Sequence, residues 1–282
     1  MQTTRATAST GAQSIDRAAT LLLLVGRAGP QGARLTELSA QCDLPKPTVR
    51  RMLLAMVLAG LLDQDEESRR YHIGPEIFVL GNLAAERFGI LPAAMRSLMR
   101  LAQDSGDTAF LSVPRGIYSI CVHREDGAYP IRIHALHAGD RHPLGIGAGS
   151  LAMLAAMADP EVEQILRTSA DILRDRYPGF TPDLLRANVD RTRSQGYALN
   201  PGLLLAGSWG IGIAIRDAAG RPVGALSIAA IESRLGEERQ RQLGALLARE
   251  ARAVELRLAE GRAAARPAAR GRVVPGGKST GG

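Results

Sequence analysis

Lys46, Thr48, Arg50 and Arg51 crowd into one short stretch, and Arg69 and Arg70 follow it. Guanidinium groups pair in a forked geometry with phosphates and with the edge of guanine, so this cluster suits a polyanion. The same charges would also fit a solvated face, which charge runs commonly form. A second concentration holds Cys121, His123, His134, His137 and His142. These are metal-ligand types, but their spacing matches no standard site, and a strand places Cys121 and His123 on one face simply by its period of two. No metal is expected there, and His142-Pro143 is read as part of a pocket rim.

A third group is neutral. Gly145–Ser150 (GIGAGS) runs into a helix, and free N–H groups at a helix start, with the positive dipole end, suit a carboxylate. It is not a P-loop, because the lysine is absent. Asn200-Pro201-Gly202 and Gly207–Gly210, with the chain's single tryptophan at Trp209, also lack a clear packing explanation. Ser150, Ser208 and Ser227 have no identifiable base. Paired carboxylates and a dinucleotide fingerprint are missing as well. Binding, not catalysis, is therefore the expected chemistry, with no cofactor.

The elements that carry the cations read clearly. Thr36 starts a short helical pattern and its hydroxyl is placed to cap it; Leu35 and Leu38 give one apolar edge. Pro45 and Pro47 fit a helix entry, since neither can donate an N–H inside one. Val49, Met52, Leu53, Met56 and Val57 then follow helical spacing up to Gly60, with Lys46, Thr48, Arg50 and Arg51 on the other side. Leu61-Leu62 and Arg69–Ile73 flank the polar stretch Gln64–Ser68, which predicts a hairpin with basic residues on its second strand. Helix, turn, helix and hairpin in that order favour the DNA reading of the charges over the solvated one.

The rest of the chain frames these pieces. A helix is predicted from Ser14, as its cap, to Arg27, ending at Gly29–Gly32. Pro75–Phe88 is a further helix whose apolar side (Ile77, Leu80, Gly81, Ala84, Phe88) has no obvious partner; pairing with a second copy and packing on its own domain are both open. Helices are expected at Leu91–Asp104, Ser150–Ala158, Glu161–Ala170, Thr181–Gln195 and Leu235–Leu258. Strands are expected at Thr108–Val113, Tyr118–Arg124, Ile131–Ala135, Tyr197–Leu199, Ser208–Asp217 and Pro222–Ile231. Strands grouped between helices imply an α+β fold, an antiparallel sheet with packed helices. A net charge of +7 suits polyanions generally, and two cysteines in different predicted domains suit a reducing cytoplasm. No apolar run approaches the ~20 residues that span a bilayer, so no membrane is expected. Residues 1–12 look like a loose tail. Residues 259–282 hold Gly, Pro, Ala and Arg with almost no large apolar residue, and are expected to stay disordered.

The segment Gln13–Gly81 resembles the winged helix-turn-helix of the IclR family of bacterial transcriptional regulators. The resemblance rests on QSIDRA (13–18), LTELSAQCDLPKPTVRRML (35–53) and YHIGPEIFVLG (71–81), and continues to about residue 258. It implies a DNA-binding domain at 13–74, a linker helix at 75–89 and a GAF-like effector domain at 90–258. The implied DNA-binding set is Thr36, Lys46, Pro47, Thr48, Arg50, Arg51, Arg69 and Arg70. The family usually has Ser at the position of Pro47 and often His at that of Arg50. The implied effector set is Gly147, Ala148, Gly149, Asn200, Trp209, Gly210 and Ser227. Gly147 and Ala148 correspond to backbone donors to a ligand carboxylate. Asn200 falls where an acidic residue is common, Gly210 where a Cys is common, and Ser227 where a pocket Ser is common. Losing a side chain at Gly210 should make room.

The expectation is a cytoplasmic regulator that binds operator DNA as a homodimer or a dimer of dimers and responds to a small-molecule effector, a small organic acid, with an aromatic acid among the options. The alternative is a ligand-independent regulator whose C-terminal domain serves only assembly, with Asn200 and Gly210 as its support.

Overall fold

The computed structural model describes residues 12–131 and 136–265. Its N-terminal part holds α1 (Gln13–Arg27), α2 (Leu35–Cys42), α3 (Lys46–Leu58), β1 (Leu62–Gln64) and β2 (Tyr71–Ile73). Leu21, Val25, Leu38, Val49, Leu53, Met56, Leu62 and Tyr71 are buried together in one small core. Each fully buried leucine there contributes roughly 1.5–3 kcal/mol. Pro45 precedes α3 and Pro47 sits in its first turn, where a missing N–H costs nothing. Gly60, with φ of 69°, turns the chain out of α3 into β1.

Local chemistry corrects two expectations here. Ser14 is not a cap; α1 starts at Gln13, behind Ala12. Thr36 lies inside α2 and does not cap it. The Glu37 carboxylate does that work, accepting the Arg34 N–H at 2.8 Å. An ionised carboxylate near a helix start also meets the positive dipole end.

Helix α4 (Pro75–Phe88) leads into α5 (Ile90–Ser105). Then follow β3 (Thr108–Arg115), β4 (Tyr118–Glu125), β5 (Arg141–Pro143), α6 (Ala148–Ala155), α7 (Asp159–Arg176), α8 (Pro182–Gln195), β6 (Ala198–Pro201), β7 (Ser208–Arg216), β8 (Pro222–Ile231) and α9 (Glu237–Ala265). Thr181 caps α8, its hydroxyl accepting the Leu184 N–H at 3.2 Å. The expected strand at 131–135 falls mostly outside the described residues, as do residues 1–11 and 266–282. Residues 259–265 continue α9, which corrects the expected start of the disordered tail.

The sheet is antiparallel in the order β5-β4-β3-β8-β7-β6. Alternation along each strand sends side chains to opposite faces. Ala109, Leu111, Ile211, Ile215, Leu226 and Ile228 pack against α5 and α9. Ala198 and Ala225 face the other way and pack with α6, α7 and α8 residues such as Leu151, Leu166 and Leu185. A half-buried pair ties α5 to α9: the Arg100 guanidinium donates from Nε and Nη2 to the buried Glu250 carboxylate, the shortest bond being 2.6 Å. Among the described residues no helix is long and apolar enough to cross a membrane.

Candidate functional sites: a cationic helix face and a capped cavity

Burial splits α3 cleanly. Val49, Leu53 and Met56 point into the core, while Lys46, Pro47, Arg50 and Arg51 are exposed and Thr48 is half-buried. The side chains of Lys46, Arg50, Arg51 and Arg69 take no ion-pair or hydrogen-bond partner in the described structure. Three unneutralised cations, Lys46, Arg50 and Arg51, therefore stand on the exposed side of the first half of α3, which suits a helix N-terminus presented to a groove, and a fourth, Arg69, stands on the hairpin.

The hairpin differs from its expected character. Arg69 and Arg70 precede β2, and Arg69 adopts a left-handed backbone with φ of 57°. Arg70 turns inward: Nη1 donates to the carbonyls of Gly32 (3.0 Å) and Gln31 (3.4 Å), and lies 3.9 Å from Glu37. It braces the start of α2. Asp63, Asp65, Glu66 and Glu67 are exposed along the hairpin. Hydrogen bonds from the Ser68 side chain and N–H hold the Asp65 carboxyl below its ordinary range, keeping it ionised. The wing tip is thus acidic, with Arg69 as its exposed cation.

The second site is a cavity of about 50 Å³ on the α6 side of the sheet. All seven residues expected there, Gly147, Ala148, Gly149, Asn200, Trp209, Gly210 and Ser227, border it. Gly147, with φ of 82°, precedes α6, and no side chain caps that helix. Its first N–H groups are therefore unclaimed by the protein. Ser150 is spent on the loop: its hydroxyl accepts the Gly145 N–H at 3.0 Å and donates to the Pro143 carbonyl at 3.1 Å. Asn200 is 8% exposed, and its Oδ1 is buried without a partner. A Cβ built on Gly210 would lie 3.9 Å from the Asn200 Cβ and 3.3 Å from that of Ala148, so these three positions share the cavity face.

Gly210 borders the cavity next to Ala148, whose Cβ would lie 3.3 Å from one built on Gly210, so α6 sits close to this part of β7. One expectation changes. The Trp209 side chain packs against the α5/α9 core, on the opposite face of β7 from Gly210. Phe110, Ser112, Ser119, Cys121, His142 and Ser208 also line the cavity; the sequence reading placed His142 and, within Gly207–Gly210, Ser208 near it. Their signal was the strand alternation of β3, β4 and β7, which names a face but not what covers it. Among the described lining residues none is Asp, Glu, Lys or Arg.

The cysteine and histidines do not converge. Burial pushes the Cys121 thiol up to about 12, so it stays neutral. His123 pairs with Glu125 at 3.1 Å, and His142 Nδ1 meets the Tyr177 hydroxyl at 3.0 Å. Among the described residues no three His, Cys, Asp or Glu side chains gather as a metal site. His134 lies outside the described residues.

A winged helix-turn-helix joined through a helix to a helix-covered antiparallel sheet with an internal cavity defines a two-domain DNA-binding regulator. Comparison with known proteins is specific. Residues 14–66 match the IclR helix-turn-helix domain, and residues 83–256 match the family described as bacterial transcriptional regulator IclR C-terminal. The chain belongs to the IclR family of bacterial transcriptional regulators, and its relatives are regulators, not enzymes. It is 30% identical to the HTH-type transcriptional repressor AllR of Salmonella typhi, over 83% of this chain and 85% of that protein. It is 27% identical to the HTH-type transcriptional regulator BhcR of Paracoccus denitrificans, over 82% of each. The fold matches an IclR regulator structure from Alicyclobacillus acidocaldarius (TM-score 0.72, 23% identity, covering 86% of this chain and 98% of that one). It also matches an IclR homologue from Microbacterium hydrocarbonoxydans solved with 4-hydroxybenzoate (TM-score 0.71, 19% identity, covering 88% and 99%).

Proposed function

We propose that this regulator binds its operator through α3 and responds to a short organic acid held at the start of α6. Lys46, Pro47, Thr48, Arg50 and Arg51 enter the major groove, with Thr36 and Arg69 at its flanks. Some cations read base edges and others hold phosphates. Arg70 is a brace in this scheme, not a contact. Two copies pair through α4, whose Phe78, Val79, Leu80 and Leu83 stand exposed, so that two recognition helices reach two half-sites. Effector binding shifts the population between two placements of these helices, and so changes operator affinity.

The observation that carries the effector reading is the uncapped start of α6 opening on a cavity beside Asn200, whose Oδ1 lacks a partner. The acid bound to the Microbacterium relative supports the same class. The volume favours a short acid, since one water needs ~10–15 Å³ and benzene occupies engineered cavities of ~150 Å³. A thermal-shift panel of two- to four-carbon acids on the full chain tests this, followed by mobility shift on its upstream DNA with the acid that binds. An acid that stabilises the protein and changes operator affinity establishes the reading. Stabilisation by none, with operator binding intact, would instead favour a ligand-independent regulator whose C-terminal domain serves assembly.

A further inference from the structure

We propose that the basic segment at the end of the chain is a second DNA contact, an arm that holds the phosphate backbone beside the operator. It goes beyond the role given to α3, and it concerns residues outside both matched family regions, since the C-terminal match ends at residue 256.

Residues 261–282 carry Arg262, Arg266, Arg270, Arg272 and Lys278 and no Asp or Glu. They therefore hold five of the chain's seven excess positive charges. Residues 13–74, the winged helix-turn-helix, carry eight Lys and Arg against seven Asp and Glu. Four of those acids, Asp63, Asp65, Glu66 and Glu67, are exposed along the hairpin that follows α3. Affinity for phosphates grows with the number of cations that replace counterions. A nearly neutral DNA-binding domain supplies few of them, and a basic segment uninterrupted by acids is the kind of arm that binds nucleic acid.

The fold sets where this segment departs. Helix α9 runs antiparallel to α5: Arg249 lies 3.6 Å from Asp104, and Arg100 donates to Glu250 at 2.6 Å. Farther along α9, the Arg257 guanidinium donates to the Ala93 carbonyl at 2.6 Å and to the Ser97 hydroxyl at 2.7 Å. Ala93 is close to the start of α5 at Ile90, and α4 ends at Phe88, just before it. Residues 258–265 carry α9 about 12 Å farther in the same direction. The basic segment thus leaves the effector domain at the end where the chain passes into α4 and the DNA-binding domain. Residues 266–282 follow, a length of chain that spans at most ~60 Å. Helix α4, with 14 residues, is ~21 Å long. The arm is therefore long enough to pass α4 and meet DNA held by α3.

The full chain is compared with the fourfold variant Arg266→Gln, Arg270→Gln, Arg272→Gln and Lys278→Gln. All four positions lie beyond α9, so the melting temperature should match the wild type. Fluorescence anisotropy across a salt series measures binding to upstream DNA that contains the operator and to unrelated duplex of the same length. Each engaged cation is worth about 0.9 in the slope of log K against log salt, so the slope should flatten by about two to four per chain. Binding to both duplexes should weaken roughly tenfold near 0.1 M salt. The preference for operator should stay within about twofold, because phosphate contacts carry no sequence information. Arg50→Ala/Arg51→Ala should instead erase that preference, and adding the fourfold change should weaken its residual binding further. Equal affinity and slope in the wild type and the fourfold variant overturn the inference and leave the α3 reading intact. Tighter DNA binding by the variant would assign the segment to the acidic hairpin of its own chain, and overturns it as well. So does unchanged DNA binding with lost binding to phosphatidylglycerol vesicles, which would assign the segment to a membrane surface. An operator preference that survives Arg50→Ala/Arg51→Ala, with the fourfold variant weakened as expected, overturns the α3 reading and upholds the arm.

Discussion

Gly212 is where the fold and the effector cavity depend on one missing methyl group. Gly212 lies on β7, and the start of α6 rests directly on it. A Cβ there would stand 2.9 Å from the Ala148 carbonyl carbon and oxygen and 2.9 Å from the Gly149 nitrogen. All three are backbone atoms at the helix start, so no flexible side-chain tip can yield. Contacts between such atoms settle near ~3.5–4 Å, and α6 would have to lift by about half an ångström or more. Overpacking of this kind costs about 1–3 kcal/mol. In a chain of this size that lowers the melting temperature by roughly 2–12 °C. Gly212→Ala should therefore melt early, and acid binding should fall because the donors of α6 move. DNA binding at a temperature where the variant is folded should persist, since α3 has a separate core. Gly210→Ala is the graded control: its Cβ would approach the Ala148 methyl at 3.3 Å and its other neighbours at ordinary contact distance, so the loss should be smaller. Circular dichroism melting and calorimetric titration of both variants decide the matter. A Gly212→Ala protein that melts within a degree of the wild type and binds acid equally would refute the close seating of α6.

Further outcomes follow from side chains already described. Arg70→Ala should lower thermal stability without changing the salt dependence of DNA binding, because its guanidinium is committed to the Gly32 and Gln31 carbonyls. Arg69→Ala should do the reverse, reducing the slope of log K against log salt by about one if it holds a phosphate. Glu250 is opposed by burial, but its bonds to Arg100, Ser97 and Arg249 outweigh that and hold its carboxyl below the ordinary value. A depressed folded-state pKa gives stability that is present above the unfolded value and is lost as pH falls through the folded one. Melting followed from pH 6 to pH 3 should show this loss, and Glu250→Gln should flatten it while lowering stability at pH 7. His142 has a lowered pKa from burial, partly offset by the Asp140 charge. Its unfolded form takes a proton first, so stability should decline as pH drops below about 6.5. His142→Phe should remove that part of the decline.

The recognition helix was readable because a one-sided apolar repeat, two prolines at its entry and a closing glycine all agree. The strands β3, β4, β6, β7 and β8 of the second domain were readable for the same local reason, whereas the short edge strand β5 (Arg141–Pro143) was not. What escaped the sequence depends on distance along the chain. Arg70 reads as a strand cation until the Gln31 and Gly32 carbonyls, nearly forty residues earlier, are seen to claim it. His142 reads as a rim residue until Tyr177 fixes its ring. Thr36 is a good cap by type, yet Glu37 is the residue that reaches the free N–H. Gly210 reads as a gap, because nothing local reveals that α6 lies close to it. Ser112 and Ser119 were legible only as alternate positions on strands whose covering helix is set by tertiary packing.

The central claim is that α3 reads the operator. Its direct test is mobility shift of the full chain on its own upstream DNA across a salt series, with the Arg50→Ala/Arg51→Ala double variant beside the wild type. At ~1–3 kcal/mol for each base-reading arginine, the variant should bind at least about thirtyfold more weakly; where an arginine instead holds a phosphate, the salt slope should shrink by about one. A folded double variant that binds the same DNA with unchanged affinity and unchanged salt slope would contradict it.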